Sequence, residues 1–415
     1  MKKIFALALA ATAVVACSKS ENGGNGDEPT PGQAQQLKVL TSINTQTKTA
    51  VDGTTLPVGS AIGVMVTDEA GTADFTSTAT GNGNADGDYY ADGRNVRFAN
   101  EAGVNTWASV NTSGQTKLLL FQGEEKGKVF GYYPYTEDAN VLGIGEATTI
   151  PVKILNEGNI VVSKDEGQGS LADGEDTYLA ATAEEEIDFM YNTQNDIVGA
   201  KTTTTAKLVM QHALSRVSFR VYTSAEAQQA VQGEDQADSY YQLVGYTIKN
   251  KSNGQVDGEL HAQFKYTTDA NATRMNIHTG EITGEIAGGE IARTIEGYKM
   301  ERATENTPEA NKEAANNSFR VSNLLFPLAA ITADGNNKSQ NIEVVFSIQR
   351  MKADGSVAGA PVGYALPFAI TENSRSWDAG KNYTYTVKFT GNSLSIETVT
   401  VTDWTEVVGG SMEIE

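Results

Sequence analysis

The chain has 415 residues, a formal net charge of −21 and a sequence pI of about 4.6. A surface this acidic repels nucleic acid and anionic membrane, so neither is expected to bind it directly. One cysteine in the whole chain excludes an intrachain disulfide, and the cores must hold without one.

In chain order, Lys2 and Lys3 precede an apolar run from Ile4 to Val15. The run is too short to span a bilayer, which takes roughly 18 or more apolar residues. It reads as a secretory signal peptide over residues 1–16. Val14-Val15-Ala16-Cys17 resembles a bacterial lipobox, in which the cut falls before the cysteine and lipid is attached to the thiol. Cys17 is therefore the expected lipidation site. Residues 17–36, rich in Ser, Asn, Gly, Pro and acids, are expected to form a flexible tether. The acids Glu21, Asp27 and Glu28 in that tether are scattered; acids so placed resemble the surface-export signal of Bacteroidetes lipoproteins.

From residue 37 the pattern is short alternating runs bounded by Gly, Asn or Asp, which reads as strand, turn, strand. Leu37, Val39 and Ile43 open it, and residues 61–66 form an almost continuous apolar run. Further strands are expected at 117–122, 128–135, 150–154 and 186–191, and a Thr-rich linker at 201–206. Val217, Phe219 and Val221 alternate with polar neighbours, as do Val344, Phe346 and Ile348. Tyr383, Tyr385, Val387 and Phe389 make the cleanest strand. Leu394 and Ile396 lie at even positions, but Val399 and Val401 are odd. That change of phase predicts a bulge or a crossing between sheets. Short surface helices are expected at 224–232 and 307–317, the latter with Thr307 as cap and Pro308 in the first turn. The whole reads as all-β, a pair of sandwiches over residues 37–200 and 201–415, with residues 206–415 expected to fold alone.

Chemistry is sparse. His212, His261 and His278 are far apart, and none has a second His or a Cys at metal-ligand spacing, so no zinc site and no cofactor are expected. His212 starts an apolar strand and reads as structural. The stretch from Asn82 to Gly93 echoes a calcium loop but has Asn82 where the first Asp belongs and Gly93 where the bidentate Glu belongs, so a polar hairpin loop is the better reading. Tyr89, Tyr90 and the tyrosines of 131–135 could stack on sugar rings, but strand tyrosines packing with their hydroxyls at the rim is the preferred reading. No catalytic constellation stands out, and the chain is read as a non-enzyme.

The ordered set of 54–66, 129–135, 186–191, 212–221 and 377–389, followed by 401–407, resembles the fimbrillin family, the subunits of lipoprotein-derived pili of Bacteroidales. The resemblance implies two transthyretin-like β-sandwich domains in tandem and a structural subunit of surface fimbriae. It further implies a role in adhesion and biofilm, outer-membrane attachment through the lipid on Cys17, and other subunits and a host or bacterial surface receptor as partners. It also implies assembly by proteolysis and strand exchange. The removable strand would run from Leu37 to Asn44, with Leu37, Val39 and Ile43 inward. The donor would lie in the C-terminal stretch, where Met412 and Ile414 alternate with polar residues. Arg94 is the first arginine, so arginine-specific cleavage near the start is excluded, and Lys38 and Lys48 are the basic candidates. Set beside this is a surface glycan-binding lipoprotein using a sandwich face and tyrosine side chains.

Overall fold

The computed structural model describes residues 34–43, 56, 58–78, 89–90, 92–100, 107–137, 148–162, 178–179, 186–192, 196–228, 239–250, 255–256, 259–260, 273–284, 290–327, 342–367 and 377–403. The described residues are nearly all β. The strands are β1 (Gln35–Gln36), β2 (Lys38–Ile43), β3 (Ala61–Asp68), β4 (Val96–Asn100), β5 (Trp107–Ser109), β6 (Leu120–Phe121), β7 (Lys126–Tyr133), β8 (Thr149–Pro151), β9 (Glu157–Val161) and β10 (Tyr178–Leu179). They continue as β11 (Met190–Asn192), β12 (Asp196–Gly199), β13 (Thr205–His212), β14 (Ser215–Thr223), β15 (Tyr240–Asn250), β16 (Gln255–Val256), β17 (Glu259–Leu260), β18 (Thr273–Asn276), β19 (Ile282–Gly284) and β20 (Glu290–Lys299). The helix α1 (Pro308–Asn316) precedes β21 (Arg320–Leu325), β22 (Ile342–Met351), β23 (Val362–Pro367), β24 (Lys381–Phe389) and β25 (Leu394–Asp403). Among the described residues no helix is long and apolar enough to cross a membrane.

The first large sheet has the order β2-β13-β11-β7-β3-β4-β5, with β12 added to β7. At β3 it is buried on both faces, which explains the continuous apolar run of that strand. Val64, Val66, Val129 and Met190 point into one core with Leu37 and Phe121. Met65, Phe130, Tyr132 and Phe189 point into a second, larger core. Tyr132 crosses the face of Gly63, where any Cβ would overlap its ring.

The remaining core lies between two five-stranded sheets, β10-β21-β14-β24-β25 and β23-β22-β15-β20-β9. Phe219 of β14 meets Phe346 of β22 edge-on at 5.3 Å between ring centroids, and also Tyr246 of β15 at 5.5 Å. Aromatic polar groups bond to each other and to an amide within the core: Trp377 Nε1 donates to the Tyr385 hydroxyl at 2.9 Å, and the Tyr246 hydroxyl donates to Asn323 Oδ1 at 3.0 Å. The change of phase in β25 is a bulge: Thr386 faces Thr398 but Val387 faces Ile396, leaving Glu397 as the extra residue. Thr307 caps α1 by accepting from the Ala310 N–H, and Ala310, Ala314 and Ala315 pack the helix on Tyr222. The expected helix near 224 is a single 3-10 turn, Ala225–Gln228.

Strand pairing crosses the boundary expected near residue 200. Residues 201–206 are not a linker: the Gly199 N–H donates to the Thr203 carbonyl, and this turn carries the chain directly from β12 into β13 of the same sheet. β9 runs parallel beside β20, and β10 beside β21. β8 joins β18 and β19 in a small sheet shared by the two halves. The buried Glu186 reaches across as well, 3.2 Å from Arg293 Nη2 and accepting the Leu324 N–H at 2.8 Å.

Candidate strand-exchange site

The first described segment changes partners within three residues. β1 pairs antiparallel with β6, and the Leu37 N–H still bonds to the Leu119 carbonyl at 2.9 Å. The Lys38 N–H bonds instead to the Thr204 carbonyl at 2.8 Å, and β2 then runs parallel to β13 from Lys38↔Thr205 to Ile43↔Met210. The segment thus ties two sheets and forms one end of the larger one.

The strand period fixes which residues face in. Leu37, Val39 and Thr41 are 1%, 3% and 2% exposed, whereas Leu40 is 41% exposed. Leu37 and Val39 lie in the core with Leu56, Ile62, Phe98, Leu119 and Leu208. Thr41 is the inward-facing residue that a purely apolar reading misses, although its parity gives it away. Its hydroxyl accepts a 2.8 Å bond from Trp107 Nε1 on β5. As β5 closes the opposite end of the sheet order, Trp107 brings the two ends of the sheet together around β2. No ladder joins β2 to β5 among the described residues, so β2 is held by one strand partner and one indole.

Ile43 ends β2, but its side chain lies outside the described residues, as do Cys17, Lys48, Met412 and Ile414. Lys38 is exposed on the outer side, while its backbone is committed to the sheet. At the other end, β25 forms the edge of its five-stranded sheet. Its Val399 is only partly covered and its Val401 is 39% exposed.

The histidines and tyrosines find structural employment. His212 lies 2.8 Å from Asp188 with both buried, and the Ser215 hydroxyl donates to the carbonyl of Asp378 at 2.8 Å and lies 2.9 Å from that of Trp377. The His278 ring rests on Phe130 at 3.8 Å, and His261 lies outside the described residues. Among the described residues no cluster of His, Cys, Asp and Glu is placed to hold a metal, and the 82–88 part of the Asn82–Gly93 loop lies outside them. Tyr132 is buried with its hydroxyl donating to Asn95 Oδ1, and Tyr90 carries Lys117 over its ring at 4.4 Å. Tyr89 lines a shallow depression of about 340 Å³ with Gln115, Thr116 and Leu118.

The described structure is similar to a fimbrial protein from Bacteroides vulgatus, at 11% identity over 89% of this chain and 100% of that one, TM-score 0.46. It is also similar to a fimbrial assembly protein from Parabacteroides distasonis, at 12% identity over 89% and 99%, TM-score 0.34. No curated protein matches the chain. The sequence profile described as fimbrillin-like matches residues 47–404, and the chain belongs to that family.

Proposed function

We propose that this chain is a structural subunit of surface fimbriae, exported as a lipoprotein through Cys17 and assembled by strand exchange after proteolysis. Membership of the fimbrillin-like family supports the fimbrial role. One observation carries the assembly step: β2, with Leu37 just before it, fills an apolar groove yet has a single ladder partner among the described residues. Burial of Leu37 and Val39 is worth about 1.5–3 kcal/mol each, so an opened groove has a strong affinity for a replacement strand of alternating apolar residues. The donor is the stretch carrying Met412 and Ile414, and the cut falls after Lys48, beyond β2. We read the fold as two transthyretin-like sandwiches in tandem, with residues 149–190 contributing strands and the Glu186 anchor to the second.

The test is to mix trypsin-nicked wild type with protein truncated after Gly410 and to look for ladders that resist mild detergent. Wild type should polymerise and the truncated form should not; Met412→Asp with Ile414→Asp should also fail to polymerise, because an unpaired buried carboxylate costs several kcal/mol. Ladders of equal length from all forms would sink the donor assignment.

A further inference from the structure

The sheet β23-β22-β15-β20-β9 ends at β23, whose outer side has no strand beside it among the described residues. Edge strands of monomeric proteins are usually guarded by charges, bulges or covering elements. This one lacks charges, and its guards are Pro361 and Pro367 at its two ends and a register shift between Met351↔Val357 and Ile348↔Val362. The chain carries 52 acidic and 31 basic residues, yet from Gly355 to Pro367 there is not one. The β22–β23 register runs from Ile348↔Val362 to Glu343↔Pro367 without a bulge. Val362 is 50% exposed although it faces inward opposite the buried Ile348, and Ala360, Pro361, Gly363 and Ala365 are exposed.

The prolines set the polarity of the edge. Pro367 has no N–H and sits opposite Glu343, a place proline tolerates when its nitrogen points away from the neighbouring strand. Backbone groups alternate sides along a strand. Gly363 and Ala365, of the same parity, therefore aim their N–H and C=O groups outward. Their side chains on the outer face are a hydrogen and a methyl, which leaves that edge flat.

We propose that β23 is a self-pairing edge that joins a second copy of this chain, antiparallel, about a two-fold axis through Tyr364. In that register Gly363 exchanges two hydrogen bonds with the second copy's Ala365, and Ala365 with the second copy's Gly363. Pro361 then faces the second copy's Pro367, neither has a donor, and the ladder stops there. The spacing selects the occupant: Pro361 and Pro367 lie three residues to either side of Tyr364, so an antiparallel second copy sets the two donorless positions against each other. Two bodies of charge −21 repel over most of their surfaces, and an uncharged edge is where they can approach. So short a ladder buries less than the roughly 1,200 Å² of a stable pair, so each joint is weak. Repeated along a filament, weak joints act together and bind neighbouring filaments side by side. That use rests on the fimbrial reading above, but the joint itself needs no polymer.

The experiment is sedimentation of the uncut full chain carrying Cys17→Ser, over a concentration series. The expected result is reversible dimerisation with a Kd of about 0.1–1 mM. Ala365→Lys should weaken it about two- to fivefold, since each lysine faces the second copy's Gly363 and the two like charges meet diagonally across the joint. Oxidative trapping adds the register. Tyr364→Cys faces itself across a non-hydrogen-bonded pair about 4.5 Å between Cα atoms, within disulfide reach. Val362→Cys lies about 13 Å from its counterpart at roughly 3.3 Å per residue, and should not trap. Tyr364 packs on Phe389 at 4.8 Å, so if Tyr364→Cys unfolds, Ala365→Lys decides. A monomer throughout, a dimer indifferent to Ala365→Lys, or equal trapping at both cysteines would overturn the proposal. Because the protein is uncut, none of these results bears on strand exchange, and failure of the nicked protein to polymerise leaves the dimer standing.

Discussion

Leu37→Ala and Leu40→Ala test whether the first strand sits in its groove in the register described. Leu37 is 1% exposed and Leu40 is 41% exposed, three residues apart on opposite faces. Truncating a buried leucine costs about 2–5 kcal/mol, whereas a surface change stays within about 0.5 kcal/mol. Among the described residues β2 has one ladder partner, so the loss at Leu37 should appear first as local opening of this strand. Lys38 reports that opening, because its side chain is exposed but its backbone must leave the sheet before a protease can cut. When reclosing is fast, cleavage follows the open population. Each 1.4 kcal/mol is tenfold, so Leu37→Ala should speed tryptic cleavage at Lys38 by about 30-fold or more, and Leu40→Ala by no more than about threefold. Emission from Trp107, which bonds to Thr41, should change in step. A larger acceleration by Leu40→Ala than by Leu37→Ala would mean that the register is wrong by one residue, since a one-residue slip exchanges the faces, and equal acceleration would mean that the groove does not hold Leu37.

A fragment of residues 206–415 should fail to show a near-UV circular dichroism signal, because it lacks β9, β10 and Glu186; a fragment starting at residue 149 should recover it. Cys17→Ser should block lipid labelling and leave the precursor uncut after Ala16, and unchanged labelling would remove the lipoprotein claim. Burial, only partly offset by Arg293 and the Leu324 N–H, holds the Glu186 carboxyl above its ordinary 4.5. A raised folded value gives stability that is fully present below about 4.5 and lost as pH rises through the folded value, so wild type should lose urea resistance relative to Glu186→Gln as pH rises; parallel profiles would refute this.

Local features were legible in the sequence because they depend on neighbours in the chain. The alternation from Tyr383 to Phe389, the bulge at Glu397 and the Thr307 cap all followed from residue spacing. Partners were not legible. Nothing in Glu157–Val161 announces a parallel neighbour more than 130 residues away at Ala292–Glu296, because parallel pairing is joined through distant chain. The threonines at 202–205 looked like a linker because turns and linkers share a composition; here two backbone bonds, Gly199 N–H to Thr203 and Thr202 N–H to Gly199, make them a turn. Of the groove, Leu37 and Val39 were visible as apolar residues at period two. Thr41 was not, since its burial depends on an indole 66 residues away.

A removable strand poses a physical conflict: it must be buried enough to close the subunit, yet leave without unfolding the rest. Losing Leu37 and Val39 alone forfeits about 3–6 kcal/mol, comparable with the 5–15 kcal/mol that holds a typical domain. The two cores resolve the conflict. Leu37 and Val39 belong to the smaller core, with Val64, Val66 and Val129. The same strands β3 and β7 turn Met65, Phe130 and Tyr132 to the opposite face, into a core that contains neither Leu37 nor Val39. The pleat therefore gives each strand two independent attachments. Opening the groove strips one face of the sheet while the other stays pinned against Ile150, Met275 and the larger core. In the exchange proposed above, the emptied groove would keep its attachment to the larger core, and the departing strand would take none of that core with it.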